Sequence, residues 1–114
     1  MRKYEFKPWG SFINILDEEY TKVKQIVIKP GESPSYQYHH KRSEIWVIVK
    51  GTAEVRLDET TKVYGVGDVV QIPTLAKHQP KNIGDEDLIF VEIQLGEYFG
   101  EDDIVRLEDK YGRI

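Results

Sequence analysis

Cysteine is absent from the chain, which excludes disulfides and thiolate metal sites outright. A dominant charge of one sign is missing too: 16 Lys and Arg stand against 20 Asp and Glu, a formal charge of −4. That balance lacks the electrostatic footprint of a nucleic-acid or anionic-membrane binder. Long apolar runs do not occur. The longest, Ile45 to Val49, falls far short of the roughly 20 residues that span a bilayer. Met1-Arg-Lys-Tyr-Glu-Phe-Lys7 has no apolar core of the kind a secretory signal needs. The expected setting is cytoplasmic, without membrane or nucleic acid as partner. What is present suits a folded chain: 39% of the 114 residues are hydrophobic, enough for one core and no room for a second. A single domain over residues 1–114 is expected.

The apolar pattern is short and β-like. Val23 to Ile28 stops at Lys29-Pro30-Gly31, where proline removes a donor and glycine permits positive φ. Glu44 to Val49 is rich in β-branched and aromatic residues and ends at Lys50-Gly51. Thr52 to Leu57 alternates, with Ala53, Val55 and Leu57 on one face. Asp58-Glu-Thr-Thr61 reads as a turn with Lys62 to Tyr64 returning, and Val66-Gly67-Asp68 as another before Val69 to Ile72. Leu88 to Leu95 is a late, strongly apolar strand. Such punctuation argues for an all-β sandwich or barrel. At the C-terminus, Glu101-Asp-Asp103 followed by Ile104, Leu107 and Tyr111 has helical spacing, with Lys110 and Arg113 last. A short helix or turn packed on the barrel is expected there.

Two segments carry the chemistry. Gln37-Tyr-His-His-Lys-Arg-Ser-Glu44 offers an amide oxygen, imidazoles and a carboxylate; Gly67-Asp-Val-Val-Gln-Ile-Pro73 leads on to His78 and Asn82. Residues two apart on a strand share a face, so Gln37 and His39 point the same way. The four residues before Glu44 allow a tight return that brings its carboxylate beside them. His78 would arrive from a distant strand. Gln37, His39, Glu44 and His78 then form a ligand set for one divalent ion. Without sulfur, that set permits Zn, Mn, Fe, Co or Ni. An unpartnered carboxylate inside a barrel costs several kcal/mol, which a divalent cation offsets.

These segments resemble the paired motifs of the cupin superfamily, whose fold is a small double-stranded β-helix, or jelly-roll barrel. Gln37 stands where many cupins have a first histidine, and Leu75 stands where the second motif has a glycine. That departure implies a slightly different turn ahead of His78. Pro8-Trp9-Gly10-Ser11, the Gln37 to Trp46 run and the Gly100 to Arg113 segment are similar to the type II phosphomannose isomerase family. Lys41 and Ile45 stand where that family often has further histidines.

The resemblance implies a metal-dependent enzyme that interconverts mannose 6-phosphate and fructose 6-phosphate, with a small-molecule sugar phosphate as its partner. It assigns Arg42 a part in catalysis, and a planar guanidinium suits a phosphate or an enediolate oxygen. His40 has the right intrinsic pKa for proton transfer but follows His39 directly, so it can face away. Lys41 and Lys77 flank the two motifs and could steer an anionic sugar. Arg106 belongs to the family-like C-terminal segment, where an ion pair with Asp103 accounts for it equally well. A homodimer is expected by analogy with other cupins. Two rival readings stay open: a non-catalytic sugar- or metabolite-binding cupin, and a small Fe(II) cupin oxygenase.

Overall fold

A computed structural model describes residues 3–114. Eleven strands follow in chain order: β1 (Tyr4–Lys7), β2 (Gly10–Asp17), β3 (Thr21–Ile28), β4 (Tyr36–Tyr38), β5 (Arg42–Lys50) and β6 (Ala53–Leu57). Then come β7 (Thr60–Tyr64), β8 (Val69–Ile72), β9 (His78–Asn82), β10 (Leu88–Gly96) and β11 (Val105–Glu108). They build a six-stranded sheet, β1-β2-β3-β10-β5-β8, facing a five-stranded sheet, β11-β4-β9-β6-β7. Strands far apart in sequence are neighbours, as the double-stranded β-helix of the cupins requires. The all-β expectation holds, and the chain adopts the cupin fold.

Turn chemistry sets the strand limits. Asp58 adopts a left-handed φ of 50° between β6 and β7, where Leu57 pairs with Thr60. Gly51 ends β5 at φ 86°, and a Cβ there would lie 2.8 Å from the carbonyl oxygen of Asp87. Only a residue without a side chain fits so close a crossing. Asn82 ties the second motif to its surroundings. Its amide donates to the carbonyls of Ile28 and Glu86, and its oxygen accepts from the N–H of Gly84.

The helical option at the C-terminus is not taken. Among the described residues no helix forms; strand β11, flanked by turns, pairs with β4. A helix of so few residues is marginal on its own, whereas pairing with β4 satisfies the backbone donors at once.

The core lies between the sheets. Ile26, Ile28, Trp46, Ile48, Val55 and Val70 belong to it, with Leu88 and Phe90. Trp9 packs into the same cluster. Cross-strand register fixes how that interior is graded. Ile26, Phe90 and Ile48 form one row across β3, β10 and β5; the next row is Lys24, Glu92 and Trp46, and the next is Lys22, Gln94 and Glu44. All nine side chains are buried. The inner face of this sheet is therefore apolar at one end and polar at the other. The polar end holds the candidate site.

Candidate metal centre

Strand β5 alternates in burial from its first residue, so Arg42, Glu44 and Trp46 all point inward. His78 opens β9, paired with Gln37 of β4 on one side and Leu57 of β6 on the other. His39 follows β4 directly, and its carbonyl accepts the N–H of Leu75 at 3.0 Å. Long-range pairing thus places residues from two distant segments on one patch of the interior. His39, Glu44 and His78 each present a ligand atom, all within 4.8 Å of one another, and all three residues are buried.

The donor set fits a cation. Nδ1 of His78 lies 2.9 Å from the carbonyl oxygen of Ala76. A carbonyl only accepts, so this nitrogen carries a proton, and in the neutral ring Nε2 is the lone-pair nitrogen. That Nε2 is buried, has no hydrogen-bond partner and lies 4.0 Å from Oε1 of Glu44. The rings of His39 and His78 stack with centroids 5.1 Å apart. Burial pushes His39 down to about 4, which keeps its imidazole neutral at neutral pH. Burial alone would raise Glu44, but its neighbours His78, Arg42 and His39 together hold its carboxyl below the usual range. A neutral His39 beside an ionised Glu44 matches the protonation states that metal ligation demands.

Two further donors orient Glu44. Trp46 Nε1 donates to Oε1 at 2.9 Å, and Arg42 Nε donates to Oε2 at 2.9 Å. Arg42 also reaches Nε2 of His39 at 3.0 Å, while its Nη1 is buried without a partner. Gln37 lines a cavity together with His39 and Arg42, its amide oxygen accepting from the hydroxyl of Ser35 at 2.8 Å. The cavity has a volume of about 140 Å³ and is also lined by Lys24, Glu92 and Arg106.

The remaining named residues are placed differently. His40 and Lys41 are exposed on the outer surface, their backbone N–H groups held by the carboxylate of Asp103 at 3.0 and 2.9 Å. Asp103 therefore caps this backbone where an ion pair with Arg106 was one expectation. Lys77 is exposed; its carbonyl accepts the N–H of Asp58, and its own N–H donates to the Asp58 carboxylate. Leu75 sits at φ 71°. This is a left-handed conformation that glycine adopts more readily than leucine.

Four inward polar residues escaped the sequence reading: Lys22, Lys24, Glu92 and Gln94. The signal was available. Stepping by two from Ile28 and Ile26 reaches Lys24 and Lys22, and from Leu88 and Phe90 it reaches Glu92 and Gln94. Burial, and then the Glu44 charge, push the carboxyl of Glu92 up to about 8, so it is protonated at neutral pH. Gln94 donates to it at 2.8 Å.

Comparison with known proteins adds the family context. A family model described as "Mannose-6-phosphate isomerase C-terminal" matches residues 1–109. Mannose-1-phosphate guanylyltransferase ManC of Salmonella typhimurium is 42% identical over all of this chain, which covers 24% of that protein. Alginate biosynthesis protein AlgA of Pseudomonas putida is 44% identical over 95% of the chain and 22% of its own length. Among solved structures, oxalate decarboxylase of Lactobacillus farciminis superposes with a TM-score of 0.80 at 27% identity, over 93% of this chain and 33% of its own. The chain thus spans about a quarter of the length of the curated relatives it matches.

These matches correct the expected activity. The relatives are named for guanylyltransfer and polysaccharide biosynthesis, and this chain corresponds to only one portion of each. The reading as a mannose 6-phosphate/fructose 6-phosphate isomerase is overturned. What the matches show is a cupin that corresponds to one portion of these longer relatives. Among the described residues, no helix is long and apolar enough to cross a membrane.

Proposed function

The chain belongs to the mannose-6-phosphate isomerase C-terminal family, and on that premise we propose that it is a metal-binding cupin whose cavity takes a phosphorylated mannose. His39, Glu44 and His78 would hold the ion, with Gln37 completing the set. The observation that carries this reading is Nε2 of His78, buried and unpartnered with its lone pair toward Glu44. A divalent ion held there supplies Lewis-acid polarisation of a bound sugar oxygen.

The chain's own groups provide the rest. Arg42, which lines the cavity, has a buried Nη1 without a partner, a donor suited to a sugar or phosphate oxygen. Glu92, protonated at neutral pH, can donate to a hydroxyl where an ionised carboxylate could only accept. Trp46 and Phe90, with ring centroids 4.8 Å apart, form an apolar floor that excludes water beneath these groups. The relatives' names, which speak of mannose 1-phosphate and polysaccharide synthesis, support a mannose phosphate as the ligand class.

The test is calorimetric titration of the zinc- or manganese-loaded chain with mannose 6-phosphate, mannose 1-phosphate and mannose. Either phosphate should bind at least about tenfold more tightly than mannose, and chelation of the metal should weaken it. Equal affinity for mannose and both phosphates in loaded protein would overturn the reading.

A further inference from the structure

The cavity carries more positive charge than the metal-ligand set can use. Five of its lining side chains are lysine or arginine and two are glutamate. Arg42 is matched by Glu44, and Arg113 by Asp109 at 2.6 Å. Lys24 is different. Its side chain is only 5% exposed, its ammonium lies 4.1 Å from the centre of the Phe12 ring, and its counter-ion is Glu101. Glu101 is 56% exposed and comes from the turn that closes with the N–H of Asp103 donating to the carbonyl of Gly100. The ammonium of Lys22, 3.6 Å away, shares the same carboxylate. Two buried cations thus face one half-exposed anion. On the same C-terminal segment, Arg106 reaches the cavity with its Nε buried and without an acceptor.

A buried ammonium is tolerated when paired, and a buried donor without an acceptor is destabilising. Neither need is fully met by the protein itself. We infer that the cavity wall formed by Lys24 and Arg106 is a subsite for a phosphate monoester, and that Glu101 occupies it as an internal stand-in until the ligand arrives. This deepens the mannose-phosphate reading and rests on it for the identity of the ligand. A dianionic phosphoryl group presents several acceptor oxygens. It can neutralise the ammonium pair more fully than one carboxylate and satisfy the orphaned Arg106 donor. Glu101 then swings outward, where it is already half solvated. Displacement of this carboxylate lowers apparent affinity, because the ligand must compete with a counter-ion tethered at the site.

The experiment uses the full chain stripped of metal by a chelator and titrated calorimetrically with inorganic phosphate. Glu101→Gln removes the competing charge and should tighten phosphate binding by about tenfold or more. Arg106→Gln, at a half-buried position, should weaken it by about tenfold. Unchanged or weaker binding in Glu101→Gln, or undiminished binding in Arg106→Gln, would overturn the subsite. Because no metal is present, the result is separable from the previous reading. Phosphate binding that follows both variants while mannose phosphates ignore the metal would leave the subsite standing and remove the metal. The reverse pattern would do the opposite.

Discussion

Nη2 of Arg42 lies 3.0 Å from Nε2 of His39, so the guanidinium rests on a lone pair beside the place where the two imidazoles and the carboxylate converge. Through Nε it holds Glu44 as well. Arg42 is therefore a resident cation that shares its acceptors with any incoming metal ion. Arg42→Met should raise affinity for zinc or manganese by about tenfold or more, because Glu44 then has no competing buried partner. Competition against a chromophoric chelator measures this directly. Unchanged or weaker metal affinity would show that the guanidinium does not compete.

Two buried groups set opposite pH limits on the metal-free protein. Glu92 is pushed up to about 8, above its ordinary 4.5. It binds more protons folded than unfolded across that interval, so its contribution is whole below about 4.5 and is lost as pH rises through 8. His39 is pushed down to about 4 from 6.5. Its contribution is whole above 6.5 and is lost as pH falls through 4. Thermal melts should show Tm falling from about pH 6 to about pH 9, and Glu92→Gln should flatten that alkaline slope. A slope identical in the variant would remove Glu92 from the account.

Backbone conformation makes a pair of predictions of opposite sign. Leu75 is exposed at φ 71°, a conformation that costs a residue with a side chain roughly 1–2 kcal/mol. Leu75→Gly should stabilise the protein by about 1 kcal/mol after the added chain entropy is allowed for. Gly51 at φ 86° has the Asp87 carbonyl where a Cβ would go, so Gly51→Ala should destabilise by about 2 kcal/mol or more. Urea unfolding of both variants checks the signs. A neutral Gly51→Ala would mean the crossing is looser than described.

Much of this was legible in the residues. The alternation in Thr52 to Leu57 and the run from Glu44 to Val49 read as strands because their period matches a pleated sheet. His39, Glu44 and His78 stood out because few roles other than ligation suit those residue types at that spacing. The misses share a physical cause. Period two says which residues share a face, but not that a polar stretch of that face turns inward. Lys22, Lys24, Glu92 and Gln94 were hidden for that reason; only the register between β3, β10 and β5 places them in the rows that end at Glu44 and Trp46. At the C-terminus, Ile104, Leu107 and Tyr111 fit a helical period as well as an extended segment with turns. Long-range pairing with β4 chose the strand. His40 follows His39 in the turn after β4, where His39 is buried and His40 faces solvent.

The central claim is that His39, Glu44 and His78 bind one divalent ion. X-ray absorption on the zinc-loaded chain tests it most directly. The account predicts one zinc per chain, with two imidazoles and oxygen donors at about 2.0–2.2 Å, and loss of one imidazole in His78→Gln. A chain that retains no stoichiometric zinc, or a spectrum unchanged by that substitution, would contradict it.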